Sequence, residues 1–276
     1  MYSLYYLAHN GLGDNLFSVG AIRFLINYYD NIYFLCKDIH YENVKLFFED
    51  NNKIITVPFD SKNEKKSCHE IIIDKYDKSD VLVLGCHKNY LTSKITNKYI
   101  IENTSDDGNY DLKITGLDYA KIDNFIKSWY DDMKLGLKIF YEYFYLESTD
   151  ESKKLYNSVN KYDNIIFIQN ICSTGEKLSI DNLLKKYIHD KNSIIISTNE
   201  NLYTNYKFIY NEKYDICQPF CMNKIIYYLD TILNSSEIYI IDGCFTGIIL
   251  PLLKTNKLKS KKTEIIYRQY IHNNIF

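Results

Sequence analysis

The sequence predicts an α/β protein made of two halves, each with a parallel β-sheet covered by helices. Short apolar segments of strand length alternate with amphipathic segments of helical spacing. The alternation occurs on both sides of a polar stretch at residues 147–160. Glycine-containing turns follow several predicted strands, which is typical of the ligand-binding edge of a parallel sheet. We therefore expect two Rossmann-like domains, residues 1–146 and 147–276, that face each other across a cleft.

The first half begins with a buried strand predicted at 2–8 and a helix predicted at 18–29. Pro58 is expected to end the third strand, because proline cannot donate to a strand ladder. An aromatic stripe at helical spacing predicts a long core helix that leads out of the domain. The remaining predictions are strands at 31–36, 53–57 and 81–84, a helix at 38–50, a loop at 60–67, a turn-rich stretch at 97–109 and the long helix at 118–145.

The second half repeats this order after a polar crossover at 147–160. Its apolar runs predict strands at 164–169, 193–197, 237–241 and 264–270. Helical spacing predicts helices at 179–189, 222–233 and 247–254. Each half is too small for a complete doubly wound fold, so we expect ligands to bind beyond the carboxyl ends of both sets of strands.

The amino-acid composition limits the classes of binding partner that we expect. The chain has 276 residues and a net charge of -2, which gives no electrostatic reason to expect nucleic acid or an anionic membrane as a partner. Arg23 and Arg268 are its two arginines, so a phosphate must be held mainly by backbone amides, hydroxyls and lysines. The 28 tyrosines allow a homodimer surface, but no stretch requires one.

The cysteines and the apolar runs indicate a cytoplasmic protein. Seven cysteines without the spacing of a disulfide framework are typical of buried thiols in a reducing compartment. The Cys68-His69 and Cys86-His87 pairs are isolated in the sequence, so we expect no metal site. There is no signal-peptide pattern, and the longest apolar run, 238–253, is too short to span a bilayer and contains Asp242.

The chain is organised around the turn that follows the first strand, His9-Asn10-Gly11-Leu12-Gly13-Asp14-Asn15. A strand, a glycine turn and a helix together place backbone N–H groups at the sheet edge, where they attract anions. Asp14 would repel a phosphate there, so the turn is suited to present a carboxylate to a polar, uncharged group. Asp14 is equally suited to cap the helix, and His9 either closes the strand or helps Asp14.

Two further turns lie at predicted strand ends in the second half. The turn at 170–177 offers the hydroxyls of Ser173 and Thr174 together with Lys177, a set suited to a phosphate or diphosphate. The turn at 242–247 has glycines that enter a helix, so its amides could receive an anion, although a tight strand-to-helix turn explains them equally well.

These motifs resemble GT-B glycosyltransferases, in particular the heptosyltransferase-like family. The resemblance rests on Gly11-Leu12-Gly13-Asp14-Asn15-Leu16 followed by Ile22-Arg23-Phe24-Leu25, and on Asp242-Gly243-Cys244-Phe245-Thr246-Gly247. A weaker resemblance exists to fucosyltransferase-like families, whose arginine motif is replaced here by Gln169 and Asn170. The family's Asp-Thr-Gly turn is also altered, so that its hydroxyl is either missing or supplied by Thr246.

The resemblance implies a nucleotide-sugar donor, a glycan or other hydroxyl acceptor, and no cofactor or metal ion. Asp14 would be the general base. His9, if it does more than close its strand, would orient the donor or help Asp14. The implied donor-binding set is Gly11, Gly13, Asn15, Ser173, Thr174, Lys177, Asp242, Gly243, Thr246 and Gly247.

Two other functions remain open from the sequence. The altered turn at Asp242-Gly243-Cys244 suits an inactive nucleotide-sugar-binding or scaffold protein of the same fold. Glycine turns after strands also occur in NAD(P)-dependent dehydrogenases, and Asp38 follows the second strand as a ribose-binding acid would. Against this, Leu16 stands where the dinucleotide motif would have its third glycine.

Overall fold

The computed structural model describes residues 2–8, 11–96, 119–173, 175–187, 189–205 and 213–266. These residues form two compact units, of which the first ends at Glu147 and the second begins at Ser148. Within the described residues, each unit contains one four-stranded sheet whose strands are all parallel. The predicted α/β class with two parallel sheets is therefore confirmed.

The first sheet has the strand order β3-β2-β1-β4. Its strands are β1 (Ser3–Leu7), β2 (Asn31–Lys37), β3 (Ile54–Phe59) and β4 (Asp80–Val83). The helices of this unit are α1 (Leu12–Phe17), α2 (Val19–Leu25), α3 (Tyr41–Val44), α4 (Glu64–Ile72), α5 (Tyr119–Asp132) and α6 (Lys138–Glu142). Short 3-10 turns lie at Asp38–His40, Lys45–Phe47, Ile73–Lys75 and Gly85–Asn89.

Several predicted boundaries in this unit are wrong. The predicted loop at 60–67 contains the start of α4 at Glu64. The third strand continues through Pro58, which pairs with Cys36, because β3 is an edge strand and an edge tolerates a missing N–H. The long helix predicted at 118–145 is divided into α5 and α6 at Lys134, whose φ is 61°. The stretch predicted to be turn-rich, 97–109, lies outside the described residues.

A buried tyrosine joins the helices that follow β1. The Tyr130 hydroxyl donates to the Phe17 carbonyl oxygen at 2.9 Å and accepts from the Ala21 N–H at 3.1 Å. These contacts satisfy backbone groups at the break between α1 and α2, near Ser18. Of the predicted aromatic stripe, Trp129, Phe140 and Phe144 are buried as expected, whereas Phe125 is 45% exposed.

Asp80 collects hydrogen bonds at the amino end of β4. Its carboxylate accepts from the hydroxyls of Tyr2 and Tyr29, both at 2.7 Å, and from the Thr96 N–H at 2.8 Å and hydroxyl at 2.6 Å. Burial by itself raises the pKa of this carboxyl, but the donors outweigh burial and hold the pKa below its ordinary value. The ionised carboxylate therefore stabilises the folded first unit.

We expect the Asp80→Asn substitution to destabilise the first unit by roughly 1–3 kcal/mol near neutral pH, because an amide cannot accept all of these donors. The folded pKa is depressed, so the stabilisation is present above the unfolded value and is lost as the pH falls through the folded value. Urea unfolding at several pH values measures this effect. The gap between wild type and variant should shrink in acid, and a gap that is constant with pH would contradict the assignment.

The second sheet has the strand order β6-β5-β7-β8. Its strands are β5 (Asn164–Gln169), β6 (Ser193–Ser197), β7 (Glu237–Ile241) and β8 (Lys262–Ile266). Its helices are α7 (Asp150–Val159), α8 (Asp181–Tyr187), α9 (Glu200–Asn205), α10 (Tyr214–Cys217), α11 (Leu229–Asn234) and α12 (Thr246–Lys254). Further 3-10 turns lie at Gln218–Phe220 and Ile225–Tyr228.

Three predicted strands of this unit, 164–169, 193–197 and 237–241, coincide with β5, β6 and β7. The polar crossover predicted at 147–160 contains the boundary between the two units and also helix α7, which the sequence pattern did not predict. Thr149 caps α7 by accepting from the Ser152 N–H. The helix predicted from 222 starts later because Met222 has a φ of 57°. Of the predicted strand at 264–270, residues 267–270 lie outside the described residues.

None of the helices within the described residues combines the length and the apolar character needed to cross a lipid bilayer. All seven cysteines are free thiols.

Candidate functional site

In each sheet, the chain first adds strands on one side of the starting strand and then switches to the other side. In the first sheet the chain moves from β1 toward β3 and later adds β4 on the other side of β1. In the second sheet it moves from β5 to β6 and later adds β7 on the other side of β5. The carboxyl edge at such a switch point opens a crevice that ligands occupy in open α/β sheets. The turns after β1 and β4, and after β5 and β7, are therefore the candidate ligand-binding turns.

The turn after β1 is held by Asp14. Its Oδ2 accepts from the Gly11 N–H at 2.9 Å, so the Asp14 side chain caps the start of α1. A Cβ at position 11 would lie 2.9 Å from this oxygen, so a glycine lets the carboxylate fold back. Asp14 is half-buried, as is Gly13 beside it. The expected cap is thus confirmed, and its carboxylate stands at the carboxyl edge of the sheet.

Asn15 is buried beneath this turn. Its side-chain N–H donates to the Gly11 carbonyl oxygen at 2.8 Å. It is 1% exposed, so its immediate role is to brace the turn. The predicted donor contacts of Gly11, Gly13 and Asn15 stay predictions. His9, the expected assistant of Asp14, lies outside the described residues.

His40 is a neighbour of Asp14 that the sequence pattern did not single out. It closes the 3-10 turn after β2 and is half-buried. Burial and the Lys37 ammonium lower the pKa of the His40 imidazole, whereas the carboxylates of Asp14 and Asp38 act in the opposite direction. The lowered pKa favours the neutral form of the His40 imidazole, and the Asp14 carboxylate interacts with it electrostatically.

The turn after β5 is a short hairpin. Ile171 and Lys177 form an antiparallel bridge, and the Gly175 N–H donates to the Cys172 carbonyl oxygen at 3.0 Å. Gly175 has a φ of 90°, a conformation that favours glycine. Ser173 and Lys177 are exposed on this hairpin, where they are accessible to a phosphate. Thr174, the third predicted phosphate ligand, lies outside the described residues.

The turn after β7 is closed by Thr246. Its hydroxyl donates to Asp242 Oδ1 at 3.2 Å and accepts from the Gly243 N–H at 3.1 Å. Thr246 and Gly247 are buried, whereas Asp242 and Gly243 are half-buried. The Thr246 hydroxyl is thus used within the turn. Asp242 and Gly243 are the members of this predicted set with exposed surface.

Gln169 joins the turns after β5 and β7. It is the last residue of β5, is 6% exposed, and donates from its side-chain N–H to the Ile171 carbonyl oxygen at 2.5 Å. A Cβ on Gly243 would lie 3.6 Å from this nitrogen, so the amide packs against the β7 turn. Its Oε1 is buried and has no hydrogen-bond partner among the described residues. Such an orphaned acceptor calls for a donor from a ligand or water.

The turn after β4 brings together residues that are far apart in sequence. Glu64 Oε2 contacts the Lys37 ammonium at 3.1 Å, and Glu64 Oε1 lies 3.4 Å from His87 Nδ1. His87 is fully buried, and its Nδ1 also contacts the Tyr90 hydroxyl. The sequence pattern did not reveal this cluster because Glu64 falls in a stretch predicted to be a loop.

Comparisons with known proteins identify the fold. No protein-family model matches the sequence, and neither does any curated protein sequence. Among solved structures, the ADP-heptose LPS heptosyltransferase II of E. coli matches with a TM-score of 0.54 at 13% identity, over 98% of this chain and 94% of that chain. A family 9 glycosyl transferase from Veillonella parvula matches with a TM-score of 0.55 at 9% identity, over 97% and 86%.

A third match is the E. coli heptosyltransferase WaaC with ADP-2-deoxy-2-fluoro heptose, with a TM-score of 0.51 at 7% identity, over 100% of this chain and 98% of that chain. The three matches cover at least 97% of this chain and at least 86% of the other chain, so the two-sheet architecture is shared over most of their length. The described chain has the GT-B fold of heptosyltransferase-like glycosyltransferases.

Proposed function

We propose that this protein is a glycosyltransferase that moves a sugar from a nucleotide-sugar donor to an acceptor hydroxyl. The observation that carries the proposal is the Asp14 carboxylate at the carboxyl edge of β1, in a fold shared with glycosyltransferases. One of the matching structures holds ADP-2-deoxy-2-fluoro heptose, a nucleotide sugar, which supports the same class of donor here.

In the proposed reaction, Asp14 removes the proton of the acceptor hydroxyl as that oxygen attacks the anomeric carbon of the donor. The bond from the anomeric carbon to the nucleoside diphosphate breaks, and the diphosphate leaves with the bonding electrons. The second unit supplies groups that can stabilise the charge on this leaving group: Lys177, the Ser173 hydroxyl, and backbone amides of the turns after β5 and β7. This scheme uses neither a cofactor nor a metal ion.

The turn after β7 and the end of β5 also carry side chains that can recognise the donor. We infer that Gln169 Oε1 accepts a hydrogen bond from an N–H or O–H group of the donor, because this buried atom has no partner among the described residues. Asp242 is placed at the same edge, where a half-exposed carboxylate can bind a ribose hydroxyl.

The Gln169→Leu substitution tests this inference. It removes the acceptor and leaves the donor group of the ligand unpaired in the complex, which costs roughly 1–3 kcal/mol. We therefore expect nucleotide-sugar binding to weaken roughly 5- to 150-fold in isothermal titration calorimetry. Gln218 is exposed on a 3-10 turn, so Gln218→Leu serves as the control and should bind like wild type. Equal binding by both variants would contradict the role of Gln169.

The function itself is tested by incubating the full chain with ADP-, GDP-, UDP-, CMP- and dTDP-sugars and a mixture of glycans. The expected result is thermal stabilisation by at least one donor and a glycan mass increase equal to one sugar. Binding without transfer or donor hydrolysis would favour the inactive binding protein of the same fold. Stabilisation by NAD(P) alone would favour a dehydrogenase.

A further inference from the structure

We propose that Glu64, Cys86 and His87 form a binding site for Zn²⁺ in the first unit. A carboxylate oxygen, a thiol sulfur and an imidazole nitrogen from these residues lie within 4.8 Å of one another. They come from two elements, the first residue of α4 and the 3-10 turn after β4. Carboxylate, thiolate and imidazole are the three ligand types that proteins use for zinc.

The distances fit a tetrahedral ion. Ligand bonds of about 2.0–2.2 Å from zinc to nitrogen or oxygen place two such ligands roughly 3.4 Å apart. The separation of Glu64 Oε1 from His87 Nδ1 is 3.4 Å. A zinc–sulfur bond of about 2.3 Å places the sulfur roughly 3.6 Å from its co-ligands, which is inside the 4.8 Å within which the three ligand atoms lie.

Neighbouring groups hold two of the ligands in orientation. The Lys37 ammonium contacts Oε2 of Glu64, which fixes the carboxylate with Oε1 beside His87. The Phe59 ring packs edge-on against the His87 ring at a centroid distance of 6.0 Å, and His87 is fully buried. Outer contacts of this kind orient the ligands of a metal centre.

The charges are also compatible with a divalent ion. A Cys86 thiolate and the Glu64 carboxylate offset the two positive charges of Zn²⁺, and Lys37 leaves one positive charge nearby. Three protein ligands leave a fourth position for water, and an ion bound to His87 Nδ1 would replace the contact that the Tyr90 hydroxyl makes with this nitrogen. Because α4 and the β4 turn would be tied together, metal binding should stabilise the first unit.

Cobalt substitution tests the proposal without a transfer assay, so the test is independent of the proposed function. The full chain is stripped with a chelator and titrated with Co²⁺. We expect one equivalent to bind, with a thiolate-to-cobalt charge-transfer band that Zn²⁺ abolishes. Cys86→Ser should lose this band, whereas Cys221→Ser, which removes a half-buried thiol of the second unit, should keep it. A wild-type chain without the band, or a Cys86→Ser variant that retains it, would overturn the proposal.

A second variant, Glu64→Gln, keeps the proposal testable if Cys86→Ser does not fold. Glu64 is the first residue of α4 and is partly exposed, so its replacement by glutamine should not disturb the fold. Circular dichroism checks that the variant is folded. We expect its Zn²⁺ affinity to fall at least tenfold, since even the loss of an outer-shell partner costs about 10- to 100-fold. Zn²⁺ should also raise the unfolding temperature of wild type and not that of Cys86→Ser. Unchanged affinity in folded Glu64→Gln would count against the site.

Discussion

Asp14→Asn is expected to lower the rate of sugar transfer by about 100- to 10,000-fold, the usual contribution of a general base. Asparagine cannot take the proton of the acceptor hydroxyl. Its side-chain oxygen can still accept from the Gly11 N–H, which the Asp14 carboxylate does at 2.9 Å, so the start of α1 is kept. The loss should therefore appear in kcat, measured with a saturating donor, while the donor dissociation constant stays close to that of wild type.

Asp14→Ala separates the two roles of this carboxylate. It removes the capping hydrogen bond as well as the base, and one such hydrogen bond contributes about 0.5–1.5 kcal/mol to stability. We expect Asp14→Ala to unfold at a lower temperature than Asp14→Asn, with a similarly low transfer rate. If Asp14→Asn transfers sugar at the wild-type rate, Asp14 is only a cap, and the base must be sought elsewhere.

Gly20→Ala is expected to cause a large loss of stability. A Cβ at position 20 would lie 2.7 Å from the Phe140 carbonyl oxygen and 2.8 Å from the Ile139 carbonyl oxygen. These are backbone atoms of α6, so the clash cannot be relieved by turning a side chain and α2 must move away from α6. Overpacking of this kind costs roughly 1–3 kcal/mol and sometimes more, and it outweighs the gain of about 1 kcal/mol in helix propensity.

Gly243→Ala is the matched control for this substitution. Its Cβ would meet its nearest neighbours, in Gln169 and Ile241, at 3.6 Å, which is ordinary van der Waals contact. Thermal unfolding should show a midpoint several degrees lower for Gly20→Ala and little change for Gly243→Ala. A Gly20→Ala protein as stable as wild type would mean that α2 and α6 do not approach each other so closely.

The apolar strands were the most predictable part of this fold. β5, β6 and β7 match their predicted bounds because each is a run of apolar residues that must be buried on both faces of a parallel sheet. The helices α4 and α7 were missed because their buried faces are sparse. In α4 these faces consist of Cys68 and Ile72, and in α7 of Ser152 and Val159.

In the candidate site, too, local contacts could be predicted from the sequence and long-range contacts could not. The contact between Asp14 and Gly11 spans three residues, so a motif in the sequence was enough to predict the cap. Gln169 packs against Gly243, and Glu64 contacts His87. In both cases the two residues are separated in the sequence by at least one helix and one strand. No local pattern specifies such pairs.

The sequence by itself determined the α/β class, three of the four strands of the second sheet and the capped turn after β1, because burial of apolar runs and a local cap depend on neighbours along the chain. Only the tertiary structure decided which turns share a sheet edge. The strand orders β3-β2-β1-β4 and β6-β5-β7-β8 bring distant loops to the same carboxyl ends, and strand order follows from packing across the whole sheet rather than from any one segment.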